Sequence, residues 1–172
     1  KGFGSGDKPN AIMTALSKGY VVASVGARGR TLEKDGKYTG KAPAAIVDLK
    51  AAVRYLHAND NMMPGDAKKI ISNGTSAGGA LSALLGASGD SNDYIGYLKQ
   101  AGAAEASDAI FAVSAYCPIT NLDNADSAYE WEFNGVNEYS RMDMSRLNAN
   151  SYNDRSLVEK AKIEGTLSAD EI

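Results

Sequence analysis

The sequence predicts an α/β fold, mostly a parallel sheet with helices on both faces, and three observations predict it. Short β-branched apolar runs alternate with segments of helical apolar spacing, in the order βα-βα-β. The runs are too continuously apolar for a sheet with one wet face and read as the buried strands of a parallel sheet. At one strand–helix junction the chain reads Gly74-Thr75-Ser76-Ala77-Gly78, a serine held in a bend between glycines.

With 172 residues the chain can bury a real core, and 44% hydrophobic against 23% charged residues is a globular balance. A net charge of −3 without a basic run gives a nucleic-acid surface no support, and no apolar run reaches membrane-span length. No signal peptide is present, but the first residue is Lys1, so a natural beginning can lie upstream; compartment stays open, with secretion from a bacterium favoured over cytoplasm. A single cysteine, Cys117, excludes an internal disulfide.

From the amino end, Lys1-Gly2-Phe3-Gly4-Ser5-Gly6 is a glycine-rich loop: an expression remnant, a phosphate loop or a backbone-donor loop. It lacks G-x-G-x-x-G and no strand precedes it, so it does not fit a dinucleotide loop. Asn10 caps a helix to about Ser17, with Ile12, Met13 and Leu16 inward and Gly19 ending it. Tyr20 to Val25 is the first buried strand. Gly26-Ala27-Arg28-Gly29-Arg30 leaves its carboxyl end, where α/β sheets usually bind ligands. Thr31–Lys41 reads as a solvated polar loop. Pro43 opens a helix to about residue 58, with Ile46, Leu49, Val53 and Leu56 as its buried stripe. Pro64-Gly65 then turns the chain toward the strand at 69–73.

Strand, tight turn and helix around Ser76 give the G-x-S-x-G pattern its context. The two glycines are expected because a Cβ would crowd so sharp a bend. The serine hydroxyl then sits exposed at a sheet edge above a helix N-terminus, where free N–H groups favour the anion that acyl transfer generates. The competing reading is a Ser/Gly loop capping an ordinary helix, with Leu81, Leu84 and Leu85 as its apolar face.

Asp90–Asp93 is a polar loop, Tyr94–Ala101 a short helix, and Ala109–Tyr116 the third strand, with Cys117 as buried filler at its end. From Asp123 the composition turns acidic and aromatic, then Asn-rich, with a helix at Ser156–Ile163. This divides the chain into a core portion, 1–122, and the beginning of an inserted cap, 123–172. Asp90/Asn92/Asp93 and Asp123/Asp126/Glu130 lack the calcium-loop spacing and read as solvated surface; no metal and no cofactor is expected.

The turn GTSAGG, the stretch NAIMTALSKGYVVASVGARGR before it and AYCPITNLDNADSAYEWEFNG after it resemble an α/β-hydrolase, and within that fold the bacterial tannases and their feruloyl-esterase-like relatives. The resemblance covers about Asn10 to Gly135. It implies a serine esterase for phenolic (galloyl or feruloyl type) esters, with Ser76 as the nucleophile that forms an acyl-enzyme and the Ala77 N–H as an oxyanion donor. The loop Gly2, Phe3, Gly4 stands where the family's second donor loop lies. Tyr129, Glu130 and Trp131 are candidates for the aromatic acyl pocket, or for packing of the cap. A serine peptidase of the same fold and a non-catalytic hydrolase-fold binding protein are the alternatives.

The family orders its triad Ser, then Asp or Glu, then His. The one histidine here, His57, precedes Ser76, and by strand geometry the two lie about 15 Å or more apart; it reads as structural or solvent-facing. No residue is assigned as triad acid or base. The chain reads as the middle of a longer enzyme. In the hydrolase arrangement another strand lies between those at 20–25 and 69–73, so a one-strand gap is expected, filled by the remaining part of the hydrolase from outside this sequence. By itself the segment is expected neither to fold cooperatively nor to hydrolyse esters.

Overall fold

The computed structural model describes residues 10–143 and 155–167. It divides into two compact units, Lys18–Leu122 and a second made of Lys1–Ser17 with Asp123–Ile172. The described chain opens on α1 (Ala11–Ser17), in the second unit. Asn10 caps it, its side-chain oxygen accepting the Met13 N–H at 2.9 Å, and Gly19 follows in the left-handed conformation at φ +82. The expected inward stripe is not inward: Ile12, Met13 and Leu16 are all exposed, because no described element covers this short helix.

The Lys18–Leu122 unit is built on a parallel pair of strands, β3 (Ile71–Thr75) and β4 (Ala112–Tyr116), in register from Ile71↔Ala112 to Thr75↔Tyr116. Before them come a small hairpin, β1 (Glu33–Lys34) with β2 (Lys37–Tyr38), and the helix α2 (Ala44–Ala58); between them run α3 (Ala77–Ala87) and α4 (Ile95–Gln100). Parallel strands require a crossover of this kind. The α3 helix has two working faces. Gly79, Ser82 and Gly86 lie against the sheet: a Cβ on Gly79 would come 2.5 Å from the Tyr116 carbonyl oxygen, and one on Gly86 would strike Val113. Leu85 points away into the core that α3 shares with Ile46 and Val53 of α2, flanked by Leu49, Ile70, Leu81, Tyr94 and Ile110.

Several expectations are corrected here. Residues 20–25 form no strand, and Tyr20, Val21 and Val25 are exposed. A β-branched run becomes a strand only when a neighbour completes its ladder, and among the described residues none pairs with it. As expected, it does not pair directly with Ile70–Asn73 either; among the described residues only β4 lies beside that strand. The polar loop 31–41 contains the β1–β2 hairpin, with Asp35-Gly36 at φ +52 and +72 in the positions a two-residue hairpin turn requires. The third strand begins at Ala112, and Phe111 is exposed. Leu84 is exposed as well, on the side of α3 turned away from the sheet. Cys117 is not buried filler: β4 ends at Tyr116, and Cys117 occupies the exposed corner beyond it at φ +48.

In the second unit, α5 (Ala125–Phe133) precedes an antiparallel pair, β5 (Glu138–Met142) with β6 (Lys162–Thr166), and α6 (Arg155–Ala161) runs straight into β6. The helix read as extending to Ile163 therefore stops at Ala161. Tyr139 sits opposite Gly165, and its ring occupies the space a Cβ there would fill. No helix among the described residues is long and apolar enough to cross a membrane.

Candidate functional site

The strand β3 delivers the chain to Ser76, and α3 begins at the next residue. Ser76 has φ +57 and ψ −119, a conformation that costs a residue with a Cβ on the order of 1–3 kcal/mol. It is exposed, and its side chain makes no capping bond to α3. The helix-cap reading is thereby excluded: an N-cap serine has extended backbone and spends its hydroxyl on the second or third N–H of the helix. Two main-chain bonds hold the turn, Ser76 N–H to the Tyr116 carbonyl and Ala80 N–H to the Ser76 carbonyl, both 2.9 Å. As the first residue of α3, Ala77 has an N–H with no partner four residues back in the helix, and it is exposed beside Ser76.

The glycines divide unexpectedly. A Cβ on Gly74 would strike the Gly78 main chain and come 2.8 Å from Ser82 Oγ, so the first motif glycine is sterically required. Gly78, expected to be required for the same reason, has open space around its Cβ position. The second crowded position is Gly79, one residue outside the motif and buried against Tyr116 and Pro118. The Gly-Gly pair at 78–79 was the available signal for it.

The other site candidates fall in different places. Gly2, Phe3 and Gly4 lie outside the described residues. Tyr129, Glu130 and Trp131 are all on α5 but not on one face. Glu130 and Trp131 line an open groove with Asp126, Ser127 and Asn134, while Tyr129 stacks with Phe133 at a centroid separation of 6.2 Å. His57 is committed elsewhere: Nδ1 lies 2.7 Å from the Ser107 carbonyl oxygen and Nε2 2.8 Å from that of Ala67. No histidine or carboxylate among the described residues hydrogen-bonds to Ser76 Oγ, and no cluster of three or more His, Cys, Asp or Glu there could hold a metal ion.

Two ion-pair systems brace the unit. Arg28, in the glycine-rich stretch expected to bind ligand, gives its guanidinium to Asp48 of α2 at 2.7 Å, and its own N–H donates to the same carboxylate at 2.8 Å. The hydrogen bonds from Arg28 hold the Asp48 carboxyl below the usual range. The second system is buried and was missed. Lys50 of α2 is fully enclosed, its Nζ 2.7 Å from Asp108 Oδ1, 2.5 Å from the Ser88 carbonyl oxygen and 4.7 Å from the Tyr94 ring centroid. Arg54 Nε donates to Asp108 Oδ2 at 2.8 Å, and Asp90 and Asp108 each accept the other's main-chain N–H at 2.9 Å. Burial pushes the Asp108 carboxyl up, but the bonds from Lys50, the Asp90 N–H and Arg54 outweigh it and hold it below its ordinary value.

With this geometry in view, the chain can be set beside known proteins. The BD-FAE family model matches residues 2–165. A Fusobacterium nucleatum tannase structure is 69% identical, with a TM-score of 0.85 over 99% of this chain and 36% of that one. The native tannin acyl hydrolase of Lactobacillus plantarum is 50% identical, with a TM-score of 0.78 over 93% of this chain and 32% of that one. A tannin acyl hydrolase solved with ethyl gallate is likewise 50% identical, with a TM-score of 0.76 over 92% of this chain and 31% of its own. Another was solved with 3,4-dihydroxybenzoate. No curated protein matches. The chain spans about a third of the length of the solved tannases that it resembles.

Proposed function

This chain belongs to the BD-FAE family, with an α/β-hydrolase-type fold, and from that premise we propose that it carries the nucleophile of a serine carboxylic-ester hydrolase for phenolic esters of the galloyl or feruloyl type. The observation that carries the reading is Ser76 itself, a left-handed, solvent-facing serine at a strand–helix turn whose side chain makes no capping bond to the helix. In this reading Ser76 Oγ attacks the ester carbonyl and loses its proton to a base, and the Ala77 N–H donates to the developing oxyanion. The alcohol then leaves with a proton, and water hydrolyses the acyl-serine to free acid and enzyme. The triad acid and base come from residues outside the described set; His57 is already held by two carbonyl groups. Gly2, Phe3 and Gly4 supply the second oxyanion donor.

For substrate, the aromatic and acidic groups of α5 take the acyl ring. Trp131 offers a face for stacking and Glu130, on the same side of the helix, an acceptor for ring hydroxyls. The ligands in the solved relatives, ethyl gallate and 3,4-dihydroxybenzoate, are rings of this kind. The greater length of those relatives supports a further strand of the same enzyme completing the sheet beside β3. The deciding experiment is turnover by the full-length protein of methyl gallate and methyl ferulate against butyryl esters and aminoacyl amides, with the acylated residue located by peptide mass. Acylation at Ser76 with phenolic preference is expected. Preference for the aliphatic ester removes the substrate class, and preference for the amide makes the protein a peptidase.

A further inference from the structure

We infer that Cys117 is a positioning residue for Ser76, acting through its left-handed backbone and not through its thiol. The inference rests on the reading of Ser76 as nucleophile. Three constraints converge on one atom, the Tyr116 carbonyl oxygen. Tyr116 is the last residue of β4 in register, opposite Thr75, and its oxygen accepts the Ser76 N–H at 2.9 Å. The same oxygen lies 2.5 Å from where a Cβ on residue 79 would stand, so only glycine leaves it in place. Immediately beyond it Cys117 takes φ +48. The left-handed residue turns the chain aside at that point, leaving the carbonyl as the final rung and Ser76 open to solvent. The Ser76 N–H has its direction fixed by that rung, and the strained turn is pinned from the sheet side.

Cys117 is exposed and makes no hydrogen bond in the described structure, so the corner depends on what backbone its side chain permits. A left-handed position tolerates Gly and Asn, resists Ala, and resists β-branched residues most. The test is the series Cys117→Gly, →Asn, →Ala and →Val in the full-length protein, read as fluorophosphonate labelling rate, kcat and KM for methyl gallate, and Tm. Expected is a rank order in kcat and labelling of Gly and Asn near wild type, then Ala, then Val. Val should be lower by about ten- to a hundredfold, as small misplacements of a reacting atom cost, with KM little changed. If Val fails to fold, the Ala-to-Gly comparison carries the same information. Equal losses in Gly and Val would show that the thiol matters and the backbone does not. Unchanged labelling of folded Cys117→Val would overturn the inference while leaving Ser76 in its role. Labelling that survives Ser76→Ala would instead remove the nucleophile reading beneath it.

Discussion

The two ends of the β3–β4 pair are built on opposite terms. At the carboxyl end Ser76 is strained and exposed, with no capping bond from its side chain; at the amino end Lys50 and Asp108 are enclosed, and half-buried Arg54 and exposed Asp90 bond to Asp108 from the rim. The same α3 helix joins both ends, with Ser76 at its start and the Ser88 carbonyl, an acceptor for Lys50, just past its finish. A reactive turn stores strain that the surroundings must over-determine. The contrast separates effects on rate from effects on stability.

The sharpest break comes at the upper end. In the full-length protein Ser76→Ala is expected to abolish fluorophosphonate labelling and to lower kcat by roughly four to six orders of magnitude, since the nucleophile acts as a unit with its base. Its unfolding free energy should stay within about 0.5 kcal/mol of wild type, as for an exposed side chain without partners. At the lower end the pattern reverses. Asp108→Ala leaves Lys50 enclosed and uncompensated, which costs about 3–5 kcal/mol by denaturant unfolding. Labelling of the folded fraction should continue at the wild-type rate; a loss of labelling without a loss of stability would show the two ends to be one machine.

Acid titration probes the same charged lock more gently. The Asp108 carboxyl is held below its ordinary value in the folded state. Its contribution is therefore complete above the unfolded value of about 3.9 and disappears as pH falls below that through the lowered folded value. Unfolding free energy measured from pH 6 downward should drop in that window, and Asp108→Asn should flatten the drop. The smallest effect belongs to the half-exposed pair at Arg28. Arg28→Lys loses the two-pronged geometry with Asp48, but solvent screens the pair, so the loss is about 1 kcal/mol or less. A much larger loss by thermal melting would mean that the Gly26–Arg30 stretch, and not the buried lock, holds α2.

Much of the upper end was legible in sequence because its constraints are local. Glycines around a serine, an apolar pair before it and helical spacing after it are short-range signals, and the Asn10 cap with Gly19 is of the same kind. The lower end was hidden because its partners are far apart in the chain, Lys50 from Asp108 and His57 from Ser107. Yet Lys50 lies four residues after Ile46 and three before Val53, on the stripe taken as apolar, and a charge at that spacing was itself the clue. Residues 20–25 failed for the opposite reason: composition reports that a run can be a strand, while only a neighbour makes it one. Cys117 was misplaced by a single residue of strand length, enough to change a buried thiol into an exposed corner.

One feature of β3 reaches beyond the proposed reaction. Among the described residues its outer edge has no strand beside it, and Ile71 is exposed along it. Such an edge is a template: it offers main-chain donors and acceptors at a fixed spacing to whichever extended chain arrives first. Prepared as a separate piece, this segment would recruit its own copies edge to edge, and dilution would do more than cooling to keep it in solution.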